Sequence, residues 1–346
     1  MEEIKKNVIN IVPMDNAGCG WYRLMQVGTM LQLYRHDVTV SAAAKFRNNG
    51  QNIIYTQRVL SEDLMTKLLD FKKQTGVKFI IDYDDLIWIH KGEGLPDYNL
   101  CRERLDCEAN TEAMKKYLNE LADHITVSTE ELKQAMLQFV PEEKVTVFPN
   151  CLSYKDWYFP LTPAPKEDIF YYAGSYTHYD NVNKKPGDFD KNLIQYLSNK
   201  KVIVKSTVPY FIKPYKNTNG SLLTTYPIDF FKETRECKYI LAPLADNVFN
   251  KCKSDLKYIE SCAVGRVCLV SDFPGSPFEH AHPYQKIPVG STPTAIKYIV
   301  ERAGDHYDEI LKHQYQFLNS RWLDNRINNY KNLLGLPLGV EQPQSK

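Results

Sequence analysis

The stretch EANTEAMKKYLNELADHITVSTEELKQAMLQFVPEEKVTVF, residues 108–148, decides the fold. Apolar residues recur at helical spacing from Glu108 to Ala122, then gather into a short run from His124 to Ser128. Helical spacing returns from Glu130 to Phe139, and a second run covers Val145 to Phe148. Strands that alternate with helices in this way predict a parallel sheet with helices on both faces.

The same alternation extends outward from this stretch. Upstream, strands are expected at Asn7–Val12, His36–Val40, Asn52–Tyr55 and Lys78–Asp82, with helices at Trp21–Leu33 and Glu62–Gln74. Downstream, the proline-bearing segment Phe159–Pro165 reads as an interdomain linker. Beyond it, strands are expected at Ile169–Ala173, Lys201–Lys205, Lys238–Leu241 and Val267–Ser271. Helices are expected at Asp188–Ser198, Ile228–Glu236, Ser254–Ala263 and Thr292–Ala303, followed by a helical tail from His306 to Leu334. The reading is α/β, with two doubly wound Rossmann-like domains facing a cleft, at 1–160 and 166–315. Residues 316–346 form a helix that folds back on the first domain. Ligands of open α/β sheets bind outside the carboxyl ends of the strands.

Bulk composition excludes several classes. With 346 residues, 43% hydrophobic and 25% charged, the chain can fill two ordinary cores. A net charge of +1, from 43 basic and 42 acidic residues, does not point to a nucleic-acid or membrane partner by itself. Eight cysteines, none in a CxxC pair, read as free thiols in a reducing, cytoplasmic setting. No window is long and apolar enough to span a bilayer.

The strongest chemical signal is Asn250-Lys251-Cys252-Lys253-Ser254-Asp255-Leu256-Lys257-Tyr258-Ile259-Glu260. On one continuous helix, Lys253, Lys257 and Glu260 at i, i+4 and i+7 would share a face. Two lysines so placed repel, and a diphosphate at the helix N-terminus would make their placement favourable. A solvated face with a Lys257–Glu260 pair fits the same spacing. A second signal is Asp15-Asn16-Ala17-Gly18-Cys19-Gly20-Trp21-Tyr22-Arg23, which follows the first strand and opens a helix. Gly18 and Gly20 suit a tight turn that approaches a ligand closely, with Arg23 as a charge contact. Asp82, Asp84 and Asp85 end a strand, where they would orient acceptor hydroxyls or act as a base, or else cap and turn the chain.

The segment from Pro243 to Gly265 resembles the donor-binding segment of retaining GT-B glycosyltransferases of family four. Gly174-Ser175-Tyr176-Thr177-His178 is similar to that family's Gly-Ser-x-x-His turn. Val127-Ser128-Thr129, Val147-Phe148-Pro149-Asn150 and the Asp82–Trp88 acidic loop resemble segments of its N-terminal domain. The resemblance implies sugar transfer from a nucleotide-sugar, most readily a UDP-sugar, with retention and with no cofactor or essential metal. It implies that Glu260 holds the ribose, with Asn250, Lys253, Ser254 and Lys257 beside the diphosphate and Lys205 as a helper. Gly174 and Ser175 would face the donor, and His178 would join the catalytic groups. The family often carries a glutamate eight positions before the ribose residue; here that position is Cys252. The Asp15–Arg23 loop also looks similar to glycosyltransferases of tailed bacteriophages, some of which modify hydroxymethylcytosine. Double-stranded DNA carrying that base is therefore the expected acceptor, with a saccharide or lipid-linked sugar as the alternative. A non-catalytic nucleotide-sugar binder is a further alternative.

Overall fold

The computed structural model describes residues 8–13, 18–34, 36–41, 50–58, 62–86, 107–174, 179–180, 185–186, 188–206, 216–217 and 227–338. These fall into two compact units. The first comprises the described residues of Met1–Leu86, Asp106–Ser153 and Trp322–Lys346; the second comprises those of Tyr154–Arg321. The chain therefore divides at 153/154, and the proline-bearing segment 159–165 lies inside the second unit.

The first unit is built on a six-stranded sheet in the order β2-β1-β3-β4-β5-β6, all parallel. Its strands are β1 (Ile9–Val12), β2 (Val38–Val40), β3 (Ile53–Gln57), β4 (Lys78–Tyr83), β5 (Ala122–Val127) and β6 (Val145–Val147). Every residue of β1 and β3 is buried, as expected for strands covered on both faces. The chain steps from β1 outward to β2 and then back past β1 to β3. The switch point of this sheet therefore lies between β1 and β3, and the loops that follow those two strands meet there.

The helical run after β1 is not uniform. One α-helical turn at Gly18–Gly20 leads into a π-helical turn at Trp21–Met25 and then the helix Gln26–Leu33. Single π-turns inside helices are rare and often occur at functional positions. The C-terminal helix Leu323–Leu333 belongs to this unit. Its Leu323, Ile327 and Tyr330, with Leu334, pack into one core with Ile9, Leu24, Val27 and Leu31. Burial of each such large apolar side chain contributes roughly 1.5–3 kcal/mol.

The second unit repeats the plan. Its sheet runs β11-β10-β7-β12-β13-β14, again all parallel. These strands are β7 (Ile169–Gly174), β10 (Lys201–Ser206), β11 (Lys216–Asn217), β12 (Tyr239–Ala242), β13 (Val267–Asp272) and β14 (Lys286–Pro288). A two-stranded antiparallel ladder pairs β8 (Tyr179–Asp180) with β9 (Lys185–Pro186). Here the switch point lies between β7 and β12. The Lys191–Leu197 helix begins three residues later than its apolar spacing predicts. Asp190 accepts from the backbone N–H groups of Asn192 and Leu193, both at 2.8 Å, and so sets the start.

Candidate active site

The carboxyl edge of the first unit is built from two arginine–aspartate clusters, Arg23 after β1 with Asp82 in β4, and Arg58 after β3 with Asp84 and Asp85 after β4. Arg23, 1% exposed, projects from the π-turn onto Asp82, which is fully buried. Its Nε donates to Asp82 Oδ2 at 3.0 Å and its Nη2 to Oδ1 at 2.6 Å, a two-pronged pairing. Nη1 donates to the Phe148 carbonyl and to Asn150 Oδ1 at 3.1 Å, and Thr126 Oγ1 donates to Asp82 Oδ1 at 2.5 Å. This network ties the π-turn, β4, β5 and the end of β6 together. It also corrects two expectations. Neither the Arg23 guanidinium nor the Asp82 carboxylate has surface left for a diphosphate or an acceptor hydroxyl, so both act as framework.

The second pair opens toward solvent. Arg58 Nε donates to Asp84 Oδ1 at 2.5 Å, and Nη2 donates to Asp85 Oδ2 at 3.0 Å and Cys19 Sγ at 3.3 Å. Burial alone would raise the Asp84 pKa, but the adjoining Arg58 guanidinium outweighs it and holds the carboxylate below its ordinary range. Asp84 is 6% exposed, whereas the Asp85 side chain is 21% exposed and is the more accessible of the three aspartates. Cys19, Asp84 and Asp85 have ligand atoms within 4.8 Å of one another, a spacing a metal ion could use. The Arg58 guanidinium already donates to all three.

The turn glycines divide in role. Gly18 has φ +49°, a conformation only glycine adopts freely. Gly20 has φ −61° and ψ −38°, ordinary helical values, and is buried. It is helix rather than turn, contrary to expectation.

In the second unit, β7 ends at Gly174, which is buried. A Cβ there would lie 2.1 Å from Tyr172 Oη, so the backbone passes the ring only because the side chain is missing. Ser175 and His178, expected to complete this turn, lie outside the described residues.

The segment after β12 forms two helices, and the second starts two residues later than the expected Ser254. Asn247 caps a short helix, Val248–Lys251, by accepting from Asn250 N at 2.8 Å. A new helix then runs from Leu256 to Ala263. Lys253 and Ser254 precede it, so Lys253 does not share its face with Lys257 and Glu260 as the spacing predicted. The break has a tertiary cause. Asp255 turns its carboxylate to Arg321 Nη2 at 2.7 Å, with His280 Nε2 at 3.3 Å, and no side chain caps the new helix. Its uncapped N-terminus and dipole present positive character at this edge.

Lys257 sits in the first turn of that helix. Its side chain is half-buried, but Nζ is fully buried and has no hydrogen-bond partner among the described residues. Nζ lies over the Tyr172 ring, 5.4 Å from its centre. Burial drives its pKa down to about 8; Asp188 opposes this and Lys253 reinforces it. Lys253 lies over the Phe249 ring at 4.4 Å. Glu260, one turn beyond Lys257, is half-buried.

Two further predicted residues have structural partners. Asn250, 1% exposed, donates from Nδ2 to Asp188 Oδ1 at 3.0 Å and to the Ala245 carbonyl at 2.9 Å. It braces the loop beside the site. Lys205, 4% exposed, donates to Glu233 Oε1 at 2.8 Å, and Tyr171 Oη donates to Glu233 Oε2 at 2.8 Å. Its charge is matched within the unit, which corrects its expected role as a diphosphate helper. Cys252 is 3% exposed and closes the short helix. Sequence reasoning missed Arg58 and Asp188; neither stands in a motif.

Two parallel-sheet Rossmann-like units define the GT-B architecture of glycosyltransferases. No family model and no curated protein matches the sequence. Among solved structures, the chain is similar to a glycosyltransferase from Rickettsia africae. Identity is 13% and the TM-score 0.61, covering 95% of this chain and 98% of that one. It is also similar to HepE of Anabaena, solved in complex with UDP and glucose. Identity there is 10% and the TM-score 0.61, covering 95% and 100% of the two chains. The lipopolysaccharide outer core galactosyltransferase WaaB, in its apo form, follows at 13% identity and a TM-score of 0.53, covering 94% and 99%. At these identities the likeness is one of fold.

Proposed function

We propose that this chain is a glycosyltransferase that moves a sugar from a nucleoside diphosphate sugar to an acceptor hydroxyl. The buried ammonium of Lys257, which has no hydrogen-bond partner among the described residues and only the Tyr172 ring against it, is the observation that carries this reading. A desolvated cation without a partner is unfavourable until an anion arrives. The uncapped N-terminus of the Leu256–Ala263 helix would meet the same anion. A diphosphate docked there leaves Glu260, one turn further along, to accept from the ribose hydroxyls. As the bond from the anomeric carbon to the diphosphate breaks, Lys257 and the helix N-terminus offset the charge that develops on the leaving group. Lys253 and Ser254 flank this position. Ser175 and His178 enter the proposal on the family resemblance alone, as does retention of anomeric configuration. UDP is the favoured nucleotide, supported by the HepE complexes with UDP and with UDP-glucose.

The favoured acceptor is a saccharide hydroxyl. At the switch point of the first unit, Asp84 and Asp85 face one guanidinium, which leaves a net negative charge. A duplex needs cations along its phosphates, and Arg23 is not available to supply one. WaaB, named for transfer to lipopolysaccharide, fits the same choice. Hydroxymethylcytosine in DNA is the second reading, on the phage-like Asp15–Arg23 loop.

The test combines binding and product mass. Titration calorimetry is expected to detect UDP, and Glu260→Ala to weaken it strongly. Incubation with UDP-sugars and either oligosaccharides or hydroxymethylated DNA, followed by mass measurement, is expected to show one added sugar on the saccharide. Sugar on the DNA alone would exchange the two acceptors. A wild-type chain that ignores every nucleotide would end the proposal.

A further inference from the structure

Among the described residues, Arg58 is the one non-glycine with positive φ, at +47°. A residue with a Cβ adopts that region only when its surroundings impose it. At the end of β3, a glycine or asparagine would make the same turn with little strain. Arginine is kept in this conformation by what its side chain reaches. Its backbone N–H donates to the Asp82 carbonyl at 2.9 Å, which fastens the end of β3 to β4. Its side chain then spans Asp84 and Asp85, after β4, and Cys19, in the turn after β1. One side chain thus joins all three loops at this switch point.

The partners of Arg58 are themselves held. Gln57 Nε2 donates to Asp84 Oδ1 at 3.3 Å, and Ser128 Oγ donates to the Asp84 carbonyl at 3.0 Å. Burial and the neighbouring Asp84 carboxylate push the Cys19 thiol pKa well above its ordinary value, so the turn offers Arg58 a neutral sulfur. Cys19 also hydrogen-bonds the Asp84 side chain, so the Gly18–Gly20 turn is held to the Arg58 cluster through the Cys19 side chain.

We infer that Arg58 is a positioning residue of the transfer step, fixing the Gly18–Gly20 turn against Asp84 and Asp85 so that the acceptor hydroxyl meets a preset site. This rests on the glycosyltransferase reading above. Arg58 touches neither the sugar nor the diphosphate; it acts through Cys19 and the two carboxylates.

Three variants test it: Arg58→Lys, which keeps the charge but loses the fork; Cys19→Ala, which loses only the tether on the turn; and the double variant. Acceptor kcat/KM and the UDP dissociation constant are measured for each. Arg58→Lys is expected to lower kcat/KM about 100-fold, the effect of a small misplacement of reacting groups. UDP affinity should stay within about twofold, since UDP docks on the other unit. Cys19→Ala should lose less, and the two losses should fall short of adding in the double variant, because both changes act on one contact cluster. Unchanged transfer in Arg58→Lys, additive losses in the double variant, or a parallel loss of UDP binding would each overturn the inference. Those outcomes leave the glycosyltransferase reading standing. A wild-type chain that neither binds UDP nor transfers sugar removes both.

Discussion

The two sheet edges treat buried charge in opposite ways. At the edge of the first unit, Arg23 meets Asp82 and Arg58 meets Asp84 and Asp85, so each guanidinium is matched. At the edge of the second unit, the Lys257 ammonium is buried with no hydrogen bond among the described residues, and Asp188 offsets its burial only in part. Matched pairs hold loops in place and exert no pull on a ligand. An unmatched ammonium destabilises the free protein and stabilises whatever anion it meets. The first edge is thus a frame that presets a position for a neutral hydroxyl, and the second is the edge that draws an anion.

The comparison is broken most forcefully by unmatching the frame. Asp82→Ala leaves the Arg23 guanidinium fully buried without its carboxylate. The expected loss is about 3–5 kcal/mol, the range for removing one partner of a buried pair. Urea unfolding of wild type and variant side by side measures it. A loss under about 1 kcal/mol would show that Arg23 finds water or another acceptor, and that the edge is less rigid than its hydrogen bonds indicate.

The second change matches the unmatched side. Lys257→Met keeps the length of the side chain and removes the charge. The free protein is expected to melt at a higher temperature, because a desolvated ammonium is gone. UDP binding is expected to weaken by about 1.5–3 kcal/mol, the value of a hydrogen bond to a charged group. The two effects have opposite signs, and calorimetry with a thermal melt reads both. A variant that melts lower and binds UDP normally would mean that Lys257 is an ordinary core lysine.

How far these edges could be read from the sequence follows from the range of the interactions. The buried strands were legible because a strand covered on both faces is a run of apolar residues, as in Ile53–Tyr55 and Val267–Val270. The placement of Lys257 and Glu260 on one helix was legible for the same local reason. The helix break before Leu256 was not. It depends on Asp255 being drawn to Arg321, 66 residues away, which no local window contains. Arg23 and Asp82 are 59 residues apart, so each looked free to serve a ligand. Arg58 was invisible for a sharper reason. Its backbone conformation opposes its residue type, and propensity points away from such positions. Both the frame and its strain are tertiary, whereas the lysine-bearing helix is local.

The smallest expected effect is a pH slope, and its sign isolates Lys257. Burial has moved this lysine from its ordinary 10.5 down to about 8 in the free protein. Below pH 8 the ammonium is charged and available to a diphosphate; above it the amine is increasingly neutral. UDP affinity should therefore be flat below about pH 7.5 and fall above pH 8, by at most about 1.4 kcal/mol per pH unit. Stability of the free protein should move the other way. Because the folded pKa lies below the unfolded one, the unfolded chain holds more protons between pH 8 and 10.5, and this group's contribution to stability rises with pH across that window. In Lys257→Met both slopes should vanish, so the informative quantity is the wild-type curve minus the variant curve. Parallel curves would place the titration elsewhere, on Lys253 or on the nucleotide. A difference that appears in binding but not in stability would mean that Nζ becomes buried only when the donor closes over it.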